Sequence, residues 1–123
     1  MKKIYLLVAV MLLTGCSYLA PDFDNREYGD FVLINTHAEY AIKECATGIV
    51  YNRLHAMKFK SANLVTYAKH IPNNEEITRI ATIIDNDIQE MLDRPDMSKT
   101  YCELKTKQLL IKLGRALTAI GAL

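Results

Sequence analysis

The chain has 123 residues, with 15 Lys and Arg against 14 Asp and Glu, three Cys, three His and no Trp. This balance leaves no basic excess for neutralising phosphates, which argues against nucleic-acid binding and against a polybasic membrane patch. A chain of this length suits one small domain around a single core.

The first fifteen residues read as a targeting segment. Met1-Lys2-Lys3 opens the chain, and no acidic residue precedes Asp22. Ile4 to Leu13 is apolar throughout apart from the Tyr5 hydroxyl. A charged start followed by a short apolar run is the layout of a secretory signal. The run is about half of the roughly 20 apolar residues that a membrane span needs, so it directs the chain without anchoring it.

The run ends Leu13-Thr14-Gly15-Cys16: an aliphatic residue, a small residue, Gly, then Cys. These four positions resemble the lipobox of bacterial lipoproteins. The resemblance implies cleavage before Cys16, a diacylglyceryl thioether on its sulfur, and an acyl chain such as palmitate on the new amine. Several chains on one residue make a stable anchor, whereas a single chain holds only marginally. Ser17 stands where an Asp would favour the inner membrane, so the same resemblance implies an outer-membrane lipoprotein facing the periplasm. Without residues 1–15, thirteen Lys and Arg face fourteen Asp and Glu. Residues 16–24 then form a short lipidated tether, interrupted by Pro21, and residues 25–123 form the folded domain.

With Cys16 committed to lipid, Cys45 and Cys102 remain. An even pair in an exported domain reads as one disulfide; the alternative is two buried free thiols. The bond would close a loop of about 58 residues and contribute roughly 4 kcal/mol by the chain-entropy estimate. The spacing excludes a Cys-x-x-Cys redox or zinc pattern.

The predicted elements follow in order. Asp24 and Glu27 have capping-box spacing. Tyr28, Phe31, Ile34, Ala38, Ala41, Ile42, Cys45 and Ile49 then recur in steps of three and four, one face of a helix. The stripe runs on through Val50, Leu54 and Met57, with Gly48 as a kink or a place of close helix packing. Ser61 is expected to cap a shorter helix bearing Leu64, Val65, Ala68 and Ile71, which ends before Pro72. Asn73 with Glu76 repeats the capping spacing. Ile77, Ile80, Ala81, Ile84, Ile88, Met91 and Leu92 form a clean apolar face that ends before Pro95. The last helix starts near Ser98 and buries Cys102, Leu109, Leu113, Ala116, Leu117 and Ile120, with Gly114 either a place of close helix contact or a neutral glycine. No strand or hairpin signal interrupts the pattern. The expected fold is all-α, a small bundle of three to four helices stapled by one disulfide.

No group of residues points to catalysis. His37, His55 and His70 have no second ligand at metal spacing. Ser61 and Ser98 sit where caps belong, not in a nucleophile elbow. The acidic residues fall at helix starts or on polar faces, so no paired-carboxylate cleft is indicated. The chain is therefore expected to be no enzyme and to need no metal, cofactor or small-molecule substrate. Tyrosines spread over the helices, with Met57, Met91 and Met97, suit either an adaptable contact surface or a core with hydroxyls at its rim. Met97 and Tyr101, at the start of the last helix, are the first candidates for a partner contact.

Size, lipid anchor, helix content and cysteine pair resemble helical pilotins, lipoproteins that capture a secretin tail and carry it to the outer membrane. The expectation that follows is a non-catalytic binding module for an envelope protein, with an apolar groove wide enough for one helix. The alternative is an exclusion or inhibitor lipoprotein of phages and mobile elements, which blocks a receptor, a channel or a cell-wall enzyme. That alternative predicts a protruding polar or aromatic patch instead.

Overall fold

The structure, a computed structural model, describes residues 22–123. The expected signal segment, Cys16 and the expected tether up to residue 21 lie outside the described residues. Four helices follow one another: α1 (Asn25–Glu44), α2 (Ile49–Lys69), α3 (Glu75–Leu92) and α4 (Lys99–Gly121). Among the described residues there is no strand, and no helix is long and apolar enough to cross a membrane. The fold is the expected all-α bundle, with four helices.

The links between helices are four to six residues long, so each helix runs antiparallel to the one before it. α1 packs on α2 and α4, and α3 packs on α2 and α4, closing a ring in which the diagonal pairs make no close backbone approach. The bundle thus has two ends. The basal end gathers the start of α1, the α2–α3 loop and the end of α4. The distal end gathers the α1–α2 turn, the α3–α4 loop and the start of α4.

The core is the set of inward stripes. Phe31, Ile34, Ala38 and Ala41 come from α1, and Val50, Leu54, Met57 and Leu64 from α2. Ile77, Ala81, Ile84, Ile88 and Met91 come from α3, and Leu109, Leu113, Ala116 and Ile120 from α4. The apolar face expected for α3 is the face that packs inward, with Ile80 and Leu92 half-buried at its margin. Leu117 likewise lies at the margin of the α4 stripe.

Several expectations are corrected. First, the stripe through Cys45 and Met57 belongs to two helices. The Glu44 carbonyl accepts from the Thr47 N–H (2.9 Å) and from Thr47 Oγ1 (2.9 Å), and the chain reverses over Cys45–Gly48. Ile49 is therefore exposed, and Gly48 sits in a turn. Second, Ser61 caps nothing. No breaker separates residue 49 from residue 69, so α2 runs on, and Ser61 is buried mid-helix, donating to Asp85 Oδ1 (2.6 Å). Third, the α3 cap falls one residue later than expected, at Asn74, and Asn73 takes a left-handed φ of 57°. Gly114 lies on the outer side of α4, and a Cβ built there would meet nothing within 4 Å, so it does not mark close helix packing.

The capping signals at Asp24 and Ser98 do operate. Asp24 Oδ1 accepts from the Glu27 N–H (2.9 Å) and Ser98 Oγ from the Tyr101 N–H (3.1 Å). Phe23, just before the Asp24 cap, stacks on Tyr28 with ring centroids 5.7 Å apart, the contact of a hydrophobic staple.

Candidate functional site

At the distal end Cys45 closes α1 and Cys102 lies in the first turn of α4. Their sulfurs are 2.07 Å apart and their Cα atoms 5.6 Å, a disulfide across 57 residues. Thr106 is buried beside it and donates to the Cys102 carbonyl (2.7 Å). Tyr51 organises the neighbouring loop. Its hydroxyl donates to the Arg94 carbonyl (2.8 Å) and accepts from the Met97 N–H (3.0 Å).

Met97, Tyr51 and Cys45 line a shallow hollow of about 220 Å³ between the two distal loops. Tyr101 is not part of it. Its ring lies under the Arg94 guanidinium at 3.8 Å, a cation–π contact. Its hydroxyl is buried with no hydrogen-bond partner among the described residues. Met97 and Tyr101 are thus close in sequence, but the fold assigns them to different surroundings.

A larger apolar opening lies between α3 and α4, in the basal half. The groove has a volume of about 360 Å³ and is walled by Ile80, Ile83 and Ile84 of α3 and by Ala116 and Ala119 of α4. Isoleucines face alanines here, and the small alanine side chains leave the space unfilled. Ile83 is 37% exposed, enough for its side chain to meet a partner without leaving the bundle. The rim is formed by Arg79, Lys112 and Arg115, and no acidic side chain lines the groove. Arg79 pairs with Glu76 and Lys112 with Asp87; Arg115 forms no ion pair among the described residues. On the other side of the Arg79–Ile83 ridge lies a second depression of about 420 Å³, bounded by Ala68 and Ile71 of the α2 side and by Thr78 and Thr82.

These groove residues do not follow from the expected partner contact. Ile83 is off the buried stripe of α3, one residue before Ile84. An extra β-branched apolar residue beside a stripe that is already complete was the signal in the sequence.

The remaining polar clusters hold the fold together. Asp85 receives Lys58 Nζ (2.8 Å) as well as Ser61 Oγ, linking α2 to α3. Arg53 makes two hydrogen bonds to Glu44 (2.7 and 3.1 Å) and donates to His37 Nδ1 (3.2 Å). The Arg53 hydrogen bond holds the Glu44 carboxyl below its ordinary pKa. Burial, then the Arg53 charge, holds the His37 imidazole below its own. His70 Nδ1 donates to the Thr66 carbonyl (2.7 Å). Among the described residues no three His, Cys, Asp or Glu side chains gather to hold a metal ion.

At the basal end a carboxylate is buried. Glu27 is fully covered, and its Oε2 accepts from Asn74 Nδ2 (2.6 Å). The second Asn74 amide hydrogen goes to the Ala68 carbonyl (3.1 Å). Glu27 Oε1 and Asn74 Oδ1, two acceptors, have no partner among the described residues. Burial pushes the Glu27 carboxyl above its ordinary pKa; the Asn74 hydrogen bond opposes this, and the nearby Asp24 charge adds to it.

The class of protein defined by this geometry is a disulfide-stapled, up-and-down four-helix bundle with an apolar groove open between α3 and α4. No family model, curated protein or solved structure matches the chain.

Proposed function

We propose that this chain is a lipoprotein, anchored through Cys16 to a bacterial membrane, the outer one, and facing the periplasm. In this reading it is a non-catalytic module that holds a helical segment of an envelope protein, in the manner of pilotins. The observation that carries the reading is the α3–α4 groove. A bundle that needed only to be stable would fill the space between Ile80, Ile83 and Ala119 with larger side chains, since interiors pack densely. A groove lined on both walls by apolar helix faces fits an amphipathic helix.

The test is capture from the native envelope, with a photoreactive residue in place of Ile83. One abundant partner should crosslink there, and Ile83→Asp should lose it while the bundle stays folded by circular dichroism. A partner held equally well by Ile83→Asp would refute the groove as the binding site. Cys16→Ser should release the protein from membranes, and full retention of that variant would refute the anchor.

One observation favours the alternative, an exclusion or inhibitor lipoprotein. Tyr40 is 52% exposed on the outer face of α1, flanked by Lys43 and Arg53 at 5.8 and 5.1 Å from its ring. If Tyr40→Ala and not Ile83→Asp abolishes capture, that patch is the working surface.

A further inference from the structure

The basal end carries apolar side chains that helix packing leaves uncovered. Phe23 is 43% exposed despite its staple to Tyr28, and Leu123 is 50% exposed. Pro72 and Ala122 are exposed, and Ile71 is half-buried. They share one end: Tyr28 approaches Gly121, while Asn74 ties the loop bearing Ile71 and Pro72 to Glu27 of α1. Asp22 and Glu75 are exposed carboxylates at this end, while other polar groups between the apolar side chains are engaged internally. Asp24 receives the Tyr67 hydroxyl (3.0 Å) in addition to its cap, and the Arg26 guanidinium lies 4.2 Å over the Tyr67 ring. Lys69 remains at the rim as an exposed cation.

We propose that this end is a second membrane contact, seated in the headgroup layer of the bilayer that holds the Cys16 lipid. The proposal rests on the lipoprotein reading, and the length of chain outside the described residues argues for the bilayer as occupant. Six residues from Cys16 to Asp22 reach at most about 21 Å. α1 alone is about 30 Å long, so the distal end cannot come down to the surface without the bundle lying on its side. The basal end is the one that the tether draws to the lipid. Aromatic and aliphatic side chains with a few cations at the rim suit the interface, where apolar groups sink beneath the headgroups and Lys and Arg reach the phosphates.

The absence of tryptophan from the chain makes the test direct. Three single-tryptophan variants are prepared as lipidated protein: Phe23→Trp at the base, Phe59→Trp on the 70% exposed outer face of α2, and Ile49→Trp at the distal end. Each is reconstituted into phosphatidylethanolamine–phosphatidylglycerol vesicles with plain or brominated acyl chains. Emission from the Phe23→Trp variant should shift to the blue and fall at least twofold in brominated vesicles, with the Phe59→Trp and Ile49→Trp variants unchanged. An unquenched basal tryptophan in protein that floats with the vesicles overturns the proposal and leaves the anchor standing. Equal quenching of the Phe23→Trp and Phe59→Trp variants also overturns it, since the bundle then lies flat. Failure of the protein to float overturns the anchor, and the proposal falls with it. Phe23→Trp keeps an aromatic ring for the staple, and an unchanged unfolding midpoint confirms that each variant is folded.

Discussion

Replacing Glu27 by Gln is expected to stabilise the domain at neutral pH, which is the reverse of what losing a native carboxylate usually does. Glu27 is fully covered, its Oε1 has no donor among the described residues, and the side-chain hydrogen bond to its Oε2 comes from a neutral amide. A buried acceptor left unsatisfied costs about 1–3 kcal/mol, and more when it is charged. Gln keeps an oxygen for Asn74 Nδ2 and removes the buried charge. The expected gain is about 1–2 kcal/mol near pH 7.5, or on the order of 5–10 °C in Tm for a domain of this size.

The pH dependence has a definite sign. The folded-state pKa of Glu27 is raised above its ordinary value of 4.5. Its contribution to stability is therefore fully present below that value and is lost as pH rises through the folded pKa. The advantage of Glu27→Gln should shrink as pH falls toward 4.5. Acid loosening through other carboxylates, such as the Arg53-paired Glu44 with its lowered pKa, affects both proteins and cancels in the difference. Urea unfolding of wild type and variant from pH 4.5 to 8 measures it. A variant less stable than wild type at pH 7.5, or a difference that does not change with pH, would refute the reasoning.

Three other perturbations have expected outcomes. Cys45→Ser with Cys102→Ser opens the cross-linked loop and should lower stability by roughly 4 kcal/mol, read as a fall in the urea midpoint; no fall in non-reducing buffer would mean the bond is not formed in solution. Gly114→Ala should raise stability by up to about 1 kcal/mol, because the site is helical and open and alanine is the better helix former; a loss would show a contact that the open surroundings do not provide. Ser61→Ala removes a hydrogen bond to a charged group and should cost about 1.5–3 kcal/mol, and a neutral result in thermal unfolding would show that Lys58 alone satisfies Asp85.

Helix period carried most of the fold into the sequence. The stripe Phe31, Ile34, Ala38, Ala41 and the α3 face from Ile77 to Met91 could be placed because burial recurs with the turn of the helix. The break at Cys45–Gly48 was hidden because both flanking helices keep the stripe in step and no proline marks the turn. Glu27 lies four residues before Phe31, on the same stripe. A glutamate in a first turn is ordinarily explained by the helix dipole, so its burial passed for capping. Asn74 was displaced from its capping role by the same residue: its side chain turns inward to Glu27 and Ala68 instead of caring for its own helix. The groove was out of reach for a different reason. Periodicity says which side of a helix faces inward, but which neighbour stands opposite is decided by the ring order of the bundle.

That ring order also shows how the α3–α4 seam, which bears the groove, differs from the other three. The other three neighbouring pairs are joined by partly buried hydrogen bonds or by the disulfide. α1 and α2 share Asp24–Tyr67 and Glu44–Arg53, and α2 and α3 share Asp85 with Lys58 and Ser61. α1 and α4 share the disulfide at one end and Tyr28 against Gly121 at the other. Across α3 and α4 the polar ties are lysine–carboxylate pairs with exposed partners, Lys105–Glu90 and Lys112–Asp87, and pairs of that kind contribute little. These two helices also make the least contact of the four neighbouring pairs. A wedge between Ile83 and Ala119 would therefore separate the weakest seam while the disulfide and the Glu27–Asn74 tie keep α1 in register at both ends. Binding there costs the fold least, which is a physical reason for a partner to use this seam rather than any other.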